Sequence, residues 1–303
     1  MRAVRTATAR GSRPGARRRW AWAAAAAATV TVSTVAACTP APGLGTASGG
    51  TGSSAGTGIS RPATPAPSVS SPPPPFPEIG RVPQADGSTP LTSSHWVGYT
   101  FPTDGVTGVR AEWTEPSVRG RAGQEEFVWV GVGGWDDTDD NIVQDGTFVY
   151  YPPGGNGGKN EGLWYERVPP VNGEAKFPVG LVNPGDRIYA SVTERGAGHW
   201  QVAVTDVTDG SSFSIGLRFH SMQAYPSFVV EDPDDGPAGP AGPFFPFPHW
   251  GAVTISNMQV RVNGSWVPAA SLYGYRINMV RGGRVLASAG PLSSTSSFRA
   301  IQP

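Results

Sequence analysis

Few residues of this chain are suited to chemistry by type and spacing. The four histidines, His95, His199, His220 and His249, are scattered, and no pair has metal-ligand spacing. There is no His-Glu-x-x-His, no Gly-x-Ser-x-Gly and no Ser-x-x-Lys, and the single cysteine is Cys38. Each histidine therefore reads as structural. The run Asp136-Asp137-Thr138-Asp139-Asp140 could hold calcium through its carboxylates. It lacks the alternating oxygens and closing glutamate of a dedicated calcium loop, so it reads as a solvated turn.

Three apolar segments carry the remaining candidates. In Phe127-Val128-Trp129-Val130-Gly131-Val132-Gly133, alternation puts Trp129, Gly131 and Gly133 on one face, where the glycines clear space beside the tryptophan. In Asn141-Ile142-Val143-Gln144-Asp145-Gly146, Gln144 shares a face with Ile142 and Gly146. In Ser227-Phe228-Val229-Val230-Glu231-Asp232, Glu231 shares a face with Ser227 and Val229. With Phe228 and Val230 marking the buried side, Glu231 points into the opposite, concave face. By type alone, Gln144 is a strand glutamine and Glu231 a strand-end acid, each at home on an ordinary surface.

The elements that must position these residues are strands. No segment shows an apolar helical stripe over three turns, whereas period-two alternation recurs between Gly, Pro, Asn and Asp clusters. Ile188, Ala190 and Val192 share one face, as do Trp200, Val202 and Val204, with a hairpin loop at Arg195-Gly196-Ala197-Gly198 between the two runs. Further strands are expected at 94–100, 107–114, 126–133, 141–151, 251–256, 271–280 and 284–288. Many short strands with turns between them argue for one all-β domain over 89–303, a sandwich of two packed antiparallel sheets. The Pro- and Gly-rich stretch from Asp232 to His249, with Phe244, Phe245, Phe247 and nearby Trp250, reads either as packed on the domain or, by preference, as a lid or binding element.

The first 19 residues hold seven arginines and no acid, and an alanine-rich apolar run from Trp20 to Ala37 follows. This is the pattern of a signal peptide over 1–37. Val35-Ala36-Ala37-Cys38 resembles the lipobox of bacterial lipoproteins, which implies a diacylglyceryl group on Cys38 and a chain anchored at the outer face of the cell membrane. The competing reading is a stray thiol after an ordinary cleaved signal. Residues 38–88 are almost entirely Gly, Ser, Thr, Ala and Pro, a disordered tether spanning on the order of 40 Å. Without the leader, 16 basic residues face 23 acidic ones, a net charge of −7. An acidic domain whose only lysines are Lys159 and Lys176 lacks the footprint for nucleic acid.

Seven segments, in order over 93–301, resemble the eqolisin family of glutamic peptidases. Ser93-Ser94-His95-Trp96-Val97-Gly98 is similar to the family's Ser-x-Asn-Trp-x-Gly, and Glu112 to Val118 to its x-Phe-x-Val-Pro-x-Val. Trp129 to Gly133 is similar to Trp-Val-Gly-Ile-Asp, Ile142 to Gly146 to Ile-Leu-Gln-Thr-Gly, and Leu163 to Glu166 to Ala-Trp-Tyr-Glu. Phe228 to Asp232 is similar to Trp-Ile-Val-Glu-Asp, and Trp250 to Ile255 to Phe-Gly-Ser-Val-Thr-Phe.

The resemblance implies a concanavalin A-like sandwich and a secreted, monomeric acid endopeptidase that needs no metal and no cofactor. Polypeptides would be its substrates. Glu231 would be the general base and Gln144 the oxyanion donor, with Trp129, Trp164 and Glu166 lining the cleft. Gly133, Gly162 and Ser227 stand where the family has acids, and Asp145, Asp136 and Glu161 are candidates to replace them. Two alternatives remain. One is a non-catalytic carbohydrate- or peptide-binding lipoprotein, for which eight tryptophans after the leader are suited. The other is a glycoside hydrolase with Glu126 or Glu166 across the cleft from Glu231.

Overall fold

The computed structural model describes residues 90–134, 141–152, 158–168, 175–176, 182–233 and 247–303. The leader, Cys38, the tether, the Asp136–Asp140 run and Phe244 and Phe245 lie outside the described residues.

Among the described residues the chain is nearly all strand, with one 3-10 turn at Ala269–Ser271. The strands are β1 (Leu91–Ser93), β2 (Trp96–Thr100), β3 (Val106–Thr114), β4 (Glu125–Gly133), β5 (Ile142–Tyr150), β6 (Asn160–Val168), β7 (Ala175–Lys176) and β8 (Arg187–Gly196). They continue with β9 (His199–Asp206), β10 (Ser212–Arg218), β11 (Pro226–Glu231), β12 (Ala252–Val262), β13 (Ser265–Pro268), β14 (Tyr275–Arg281), β15 (Arg284–Ala289) and β16 (Phe298–Ile301). The β8–β9 hairpin turns at Ala197-Gly198, where Ala197 has φ 47°.

Hydrogen bonding follows one continuous path, β10-β9-β8-β3-β12-β16-β15-β14-β2-β11-β4-β5-β6-β7, with β1 beside β14 and β13 beside β12. Along this path neighbours run antiparallel; β1 joins β14 in parallel. Where two packed antiparallel sheets were expected, hydrogen bonding runs through one antiparallel sheet that turns a corner. The corner is β15: Val285 and Ala287 pair with β14, while Ser288 and Ala289 pair with β16. A strand that changes partners along its length is a usual way for one sheet to fold over itself.

The fold encloses one core shared by both halves. Val97, Val128, Val130, Phe228 and Val230 from β2, β4 and β11 meet Val109, Ile188, Val202 and Val260 from β3, β8, β9 and β12. Each such fully buried side chain contributes about 1.5–3 kcal/mol. Phe247 and Trp250 also pack down, with ring centroids 5.9 Å apart. For these two residues the packed reading therefore replaces the lid preferred from sequence. The strand expected at 251–256 continues to Val262, because a bulge after Ser256, with Asn257 at φ 51°, shifts the alternation by one residue.

Carboxyls share this core. Glu126 on β4 is 0% exposed, and neither of its oxygens has a hydrogen-bond partner. Glu115, just past β3, is buried beside it and accepts the Trp113 indole N–H at 3.2 Å. Burial pushes Glu115 up to about 8, against hydrogen bonds from Thr147 and Trp113 that pull it down. Burial likewise holds Glu126 well above the usual carboxylate range, with Glu115 and Glu161 adding to the rise and Lys159 opposing it.

A carboxyl whose pKa is raised in the fold supports the fold while protonated. That support is complete below the ordinary value of 4.5 and is lost as pH rises towards 8. The melting temperature should therefore fall between pH 4.5 and pH 8, and Glu126→Gln should flatten the fall; a curve that rises over that window would contradict this. A second expectation concerns Gly146, where a Cβ would lie 1.9 Å from the Val128 carbonyl oxygen. Gly146→Ala should cost about 2–3 kcal/mol in urea denaturation.

Candidate active site

Cross-strand partners share a face, so register alone assembles the site. Across β11, β4, β5 and β6, one row is Ser227, Gly131, Gln144 and Glu166. The next is Val229, Trp129, Gly146 and Trp164, and the third is Glu231, Phe127, Phe148 and Gly162. Gln144 and Glu231 thus leave the same face in rows one and three. On a regular sheet their backbones are offset by roughly 13 Å along the strands and roughly 10 Å across them. Trp129 occupies the middle row on the strand between.

The Trp129 indole fills that diagonal. Its Nε1–H donates to Glu231 Oε2 at 2.6 Å. At its other end, Cζ3 lies 3.0 Å from the point a Cβ on residue 131 would occupy, and Gln144 Cβ lies 3.0 Å from the same point. Glycine at 131 is what lets the ring lie down between the two. Trp96 packs edge-on against Trp129 at 5.1 Å, and Phe127 against Trp164 at 4.7 Å. With Ile142 and Val229 these form a second, smaller apolar cluster beneath the two polar groups. Trp129 and Trp164 are therefore buried, at 0% and 3% exposure. They form the floor of the site, and the Trp164 N–H is taken by the Thr147 carbonyl at 2.8 Å.

Gln144 is also nearly buried, and its Nε2 donates to Glu166 Oε2 at 3.0 Å. An ionised carboxylate only accepts, so Glu166 selects the amide orientation with its NH2 turned towards it. One N–H remains for another acceptor, and Oε1 has no hydrogen-bond partner. Glu231 is half-buried at the end of β11. The next residue fixes that end: Asp232 N–H donates to the His95 carbonyl at 2.9 Å, and its carboxylate meets Arg281 Nη2 at 2.6 Å. Arg281 Nε also donates to the Ser94 carbonyl at 2.6 Å. Arg281 had no signal in the sequence, because nothing local links it to a site 50 residues upstream.

Other sequence candidates lie elsewhere. Glu126 points into the core and does not face Glu231. Glu161 pairs with Lys159 and lies on the β6 face opposite Glu166. Asp145 points away from the groove and is 0% exposed. Neither acid replaces the missing carboxylates, since alternation sends odd and even neighbours to opposite faces. Asp136 lies outside the described residues. Gly133 adopts φ +101°, and a Cβ there would lie 1.9 Å from the Asn141 carbonyl oxygen, so this backbone has no room for an aspartate. Ser227 Oγ instead hydrogen-bonds to Thr100 Oγ1 at 2.9 Å. Among the described residues, no three His, Cys, Asp or Glu side chains converge as a metal site.

Residues 94–298 match the Peptidase A4 family. Aspergillopepsin-2 of Aspergillus niger is 26% identical over 199 residues, 58% of this chain and 67% of that protein. Scytalido-glutamic peptidase, solved with a transition state analog inhibitor, aligns at TM-score 0.58 and 22% identity, over 69% of this chain and 98% of that one. SCP-B, a member of the Eqolisin family of peptidases solved with the tripeptide Ala-Ile-His, aligns at TM-score 0.56 and 20% identity over the same shares. At these identities the structures speak for the fold, and the family match speaks for descent. The chain belongs to the Peptidase A4 family and is a glutamic-type peptidase, a hydrolase.

Proposed function

We propose that this protein is an endopeptidase working at acid pH with Glu231 and Gln144 as its catalytic dyad. The observation that carries the reading is that register sets the two side chains on one face, with the buried Trp129 indole as the floor of the gap between them. A peptide laid across the gap would have its scissile carbonyl between base and donor. Glu231 takes a proton from a bound water as that water attacks the carbonyl carbon, then passes it to the leaving amine. The free N–H of Gln144 meets the oxyanion as it forms. The Trp129 N–H holds the Glu231 carboxylate in place at Oε2.

The buried acids favour the acid-pH part of this reading, because the fold gains stability where they are protonated. The fold itself is read as the concanavalin A-like sandwich, its two layers being the two arms of the folded path. A binding module is disfavoured because Trp129 and Trp164 are covered and offer no open stacking platform. A glycosidase is disfavoured because Glu126 is in the core and Glu166 is engaged with Gln144.

Hydrolysis of a denatured protein by the full chain, from acid to neutral pH, tests the dyad. Glu231→Gln and Gln144→Ala should each lower kcat by about a hundredfold or more, and Trp129→Phe by about tenfold, with the fold retained. Unchanged cleavage by Gln144→Ala would sink the assignment. The lipobox reading of Cys38 adds that the mature chain is held outside the cell membrane by a diacylglyceryl group and the 39–88 tether. Cys38→Ser should then move the protein from the membrane pellet to the soluble fraction.

A further inference from the structure

We propose that Asp145 is a positioning residue for Gln144, tying the strand that carries the amide to the opposite arm of the folded sheet. The inference rests on the reading of Gln144 as oxyanion donor. Gln144 and Asp145 are consecutive in β5, so one side chain enters the groove and the other enters the core. Asp145 Oδ2 accepts the backbone N–H of Ala203 on β9 at 2.7 Å. β5 and β9 lie far apart along the hydrogen-bonded path, so this contact crosses the core and is not part of a ladder.

Two residues on, Thr147 makes a second directional link from the same face, its Oγ1 accepting the Trp113 Nε1–H of β3 at 3.3 Å, but it does not adjoin the amide. Val143 and Val149 touch the core through apolar contact alone, which is non-directional and lets two layers slide by fractions of an ångström. A hydrogen bond to a backbone N–H has a fixed length and angle. It therefore pins β5 at the residue adjoining the amide, while Glu166 holds the amide from the groove side. Gln144 is clamped from both faces of its own sheet.

The clamp has a cost, which marks it as more than filler. Oδ1 is buried with no hydrogen-bond partner. Burial holds the Asp145 pKa well above the usual range, outweighing the Ala203 and Ser191 N–H groups that favour the charge.

Kinetics of the full chain on a peptide it cleaves, beside urea denaturation, test the proposal. Asp145→Asn keeps an acceptor for Ala203 and should leave kcat within about twofold of the parent. Asp145→Leu removes the acceptor, so the loss from the orphaned Ala203 N–H offsets the gain from removing a costly buried carboxyl, and its urea midpoint should stay near the parent's. Its kcat should nevertheless fall about tenfold with KM within about twofold, the signature of a misplaced transition-state donor. In a Gln144→Ala background the same Leu substitution should cost no further kcat, since nothing remains to be positioned.

Parental kcat in Asp145→Leu, an equal loss in Asp145→Asn, or a full additive loss in the Gln144→Ala background would each overturn the proposal. Should the Leu variant fail to fold, Asp145→Thr takes its place under the same criteria. The two readings fail separately. Parental cleavage by Gln144→Ala removes the dyad, whereas an inactive Gln144→Ala with a fully active Asp145→Leu removes only the clamp.

Discussion

The indole of Trp129 governs the site, and its placement depends on what is absent around it. A ring of that size lies flat against a sheet only where neighbouring positions carry no side chain. Gly131 follows it on its own strand and Gly146 sits beside it on β5. Their backbones leave a trough, and the ring that fills it reaches Glu231 by its N–H and runs over Gly131 towards Gln144. The apolar cluster of Phe127, Ile142, Trp164 and Val229 then fixes the ring from the sides. The positions of the two polar groups follow from the packing of one apolar one.

The same sheet does different electrostatic work on its two faces. On the groove side, Glu231 and Glu166 are half-buried and each accepts a hydrogen bond from a neutral donor. On the core side, Glu115, Glu126 and Asp145 are buried, and burial raises the pKa of each. A carboxylate in low dielectric is tolerated only when it is protonated or well paired. The core of this domain thus depends on acidity in a way an all-apolar core would not. Asp145 directly follows Gln144 of the proposed dyad, as the buried Asp232 follows Glu231.

Much of this was legible in the sequence because period-two alternation is a local property. The face shared by Trp129, Gly131 and Gly133 and the opposite facing of Glu231 and Phe228 are both found in the structure. Alternation fails where the backbone departs from it. The strand beginning at Ala252 looked short because the bulge at Asn257 exchanges its faces half-way. Strand β6 was not read as a strand, and its burial shows why: Gly162 to Tyr165 are buried on both faces, so no polar residue marks a period. Phe247 and Trp250 were assigned to a lid because an apolar loop end looks alike whether it covers a groove or the core.

By itself the sequence determined the fold class, the strands that carry Gln144 and Glu231, and the faces they leave from, since side-chain direction along a strand needs no knowledge of the neighbours. It also supplied the ordered motifs that pointed to the family. Only the tertiary structure decided which strand lies between the two residues and that Trp129 spans them. It alone placed Glu126 and Asp145 in the core, and it alone paired Arg281 with Asp232 across 48 intervening residues. These are matters of strand order and of layer against layer. They are set by long-range contacts that leave no local periodicity to read.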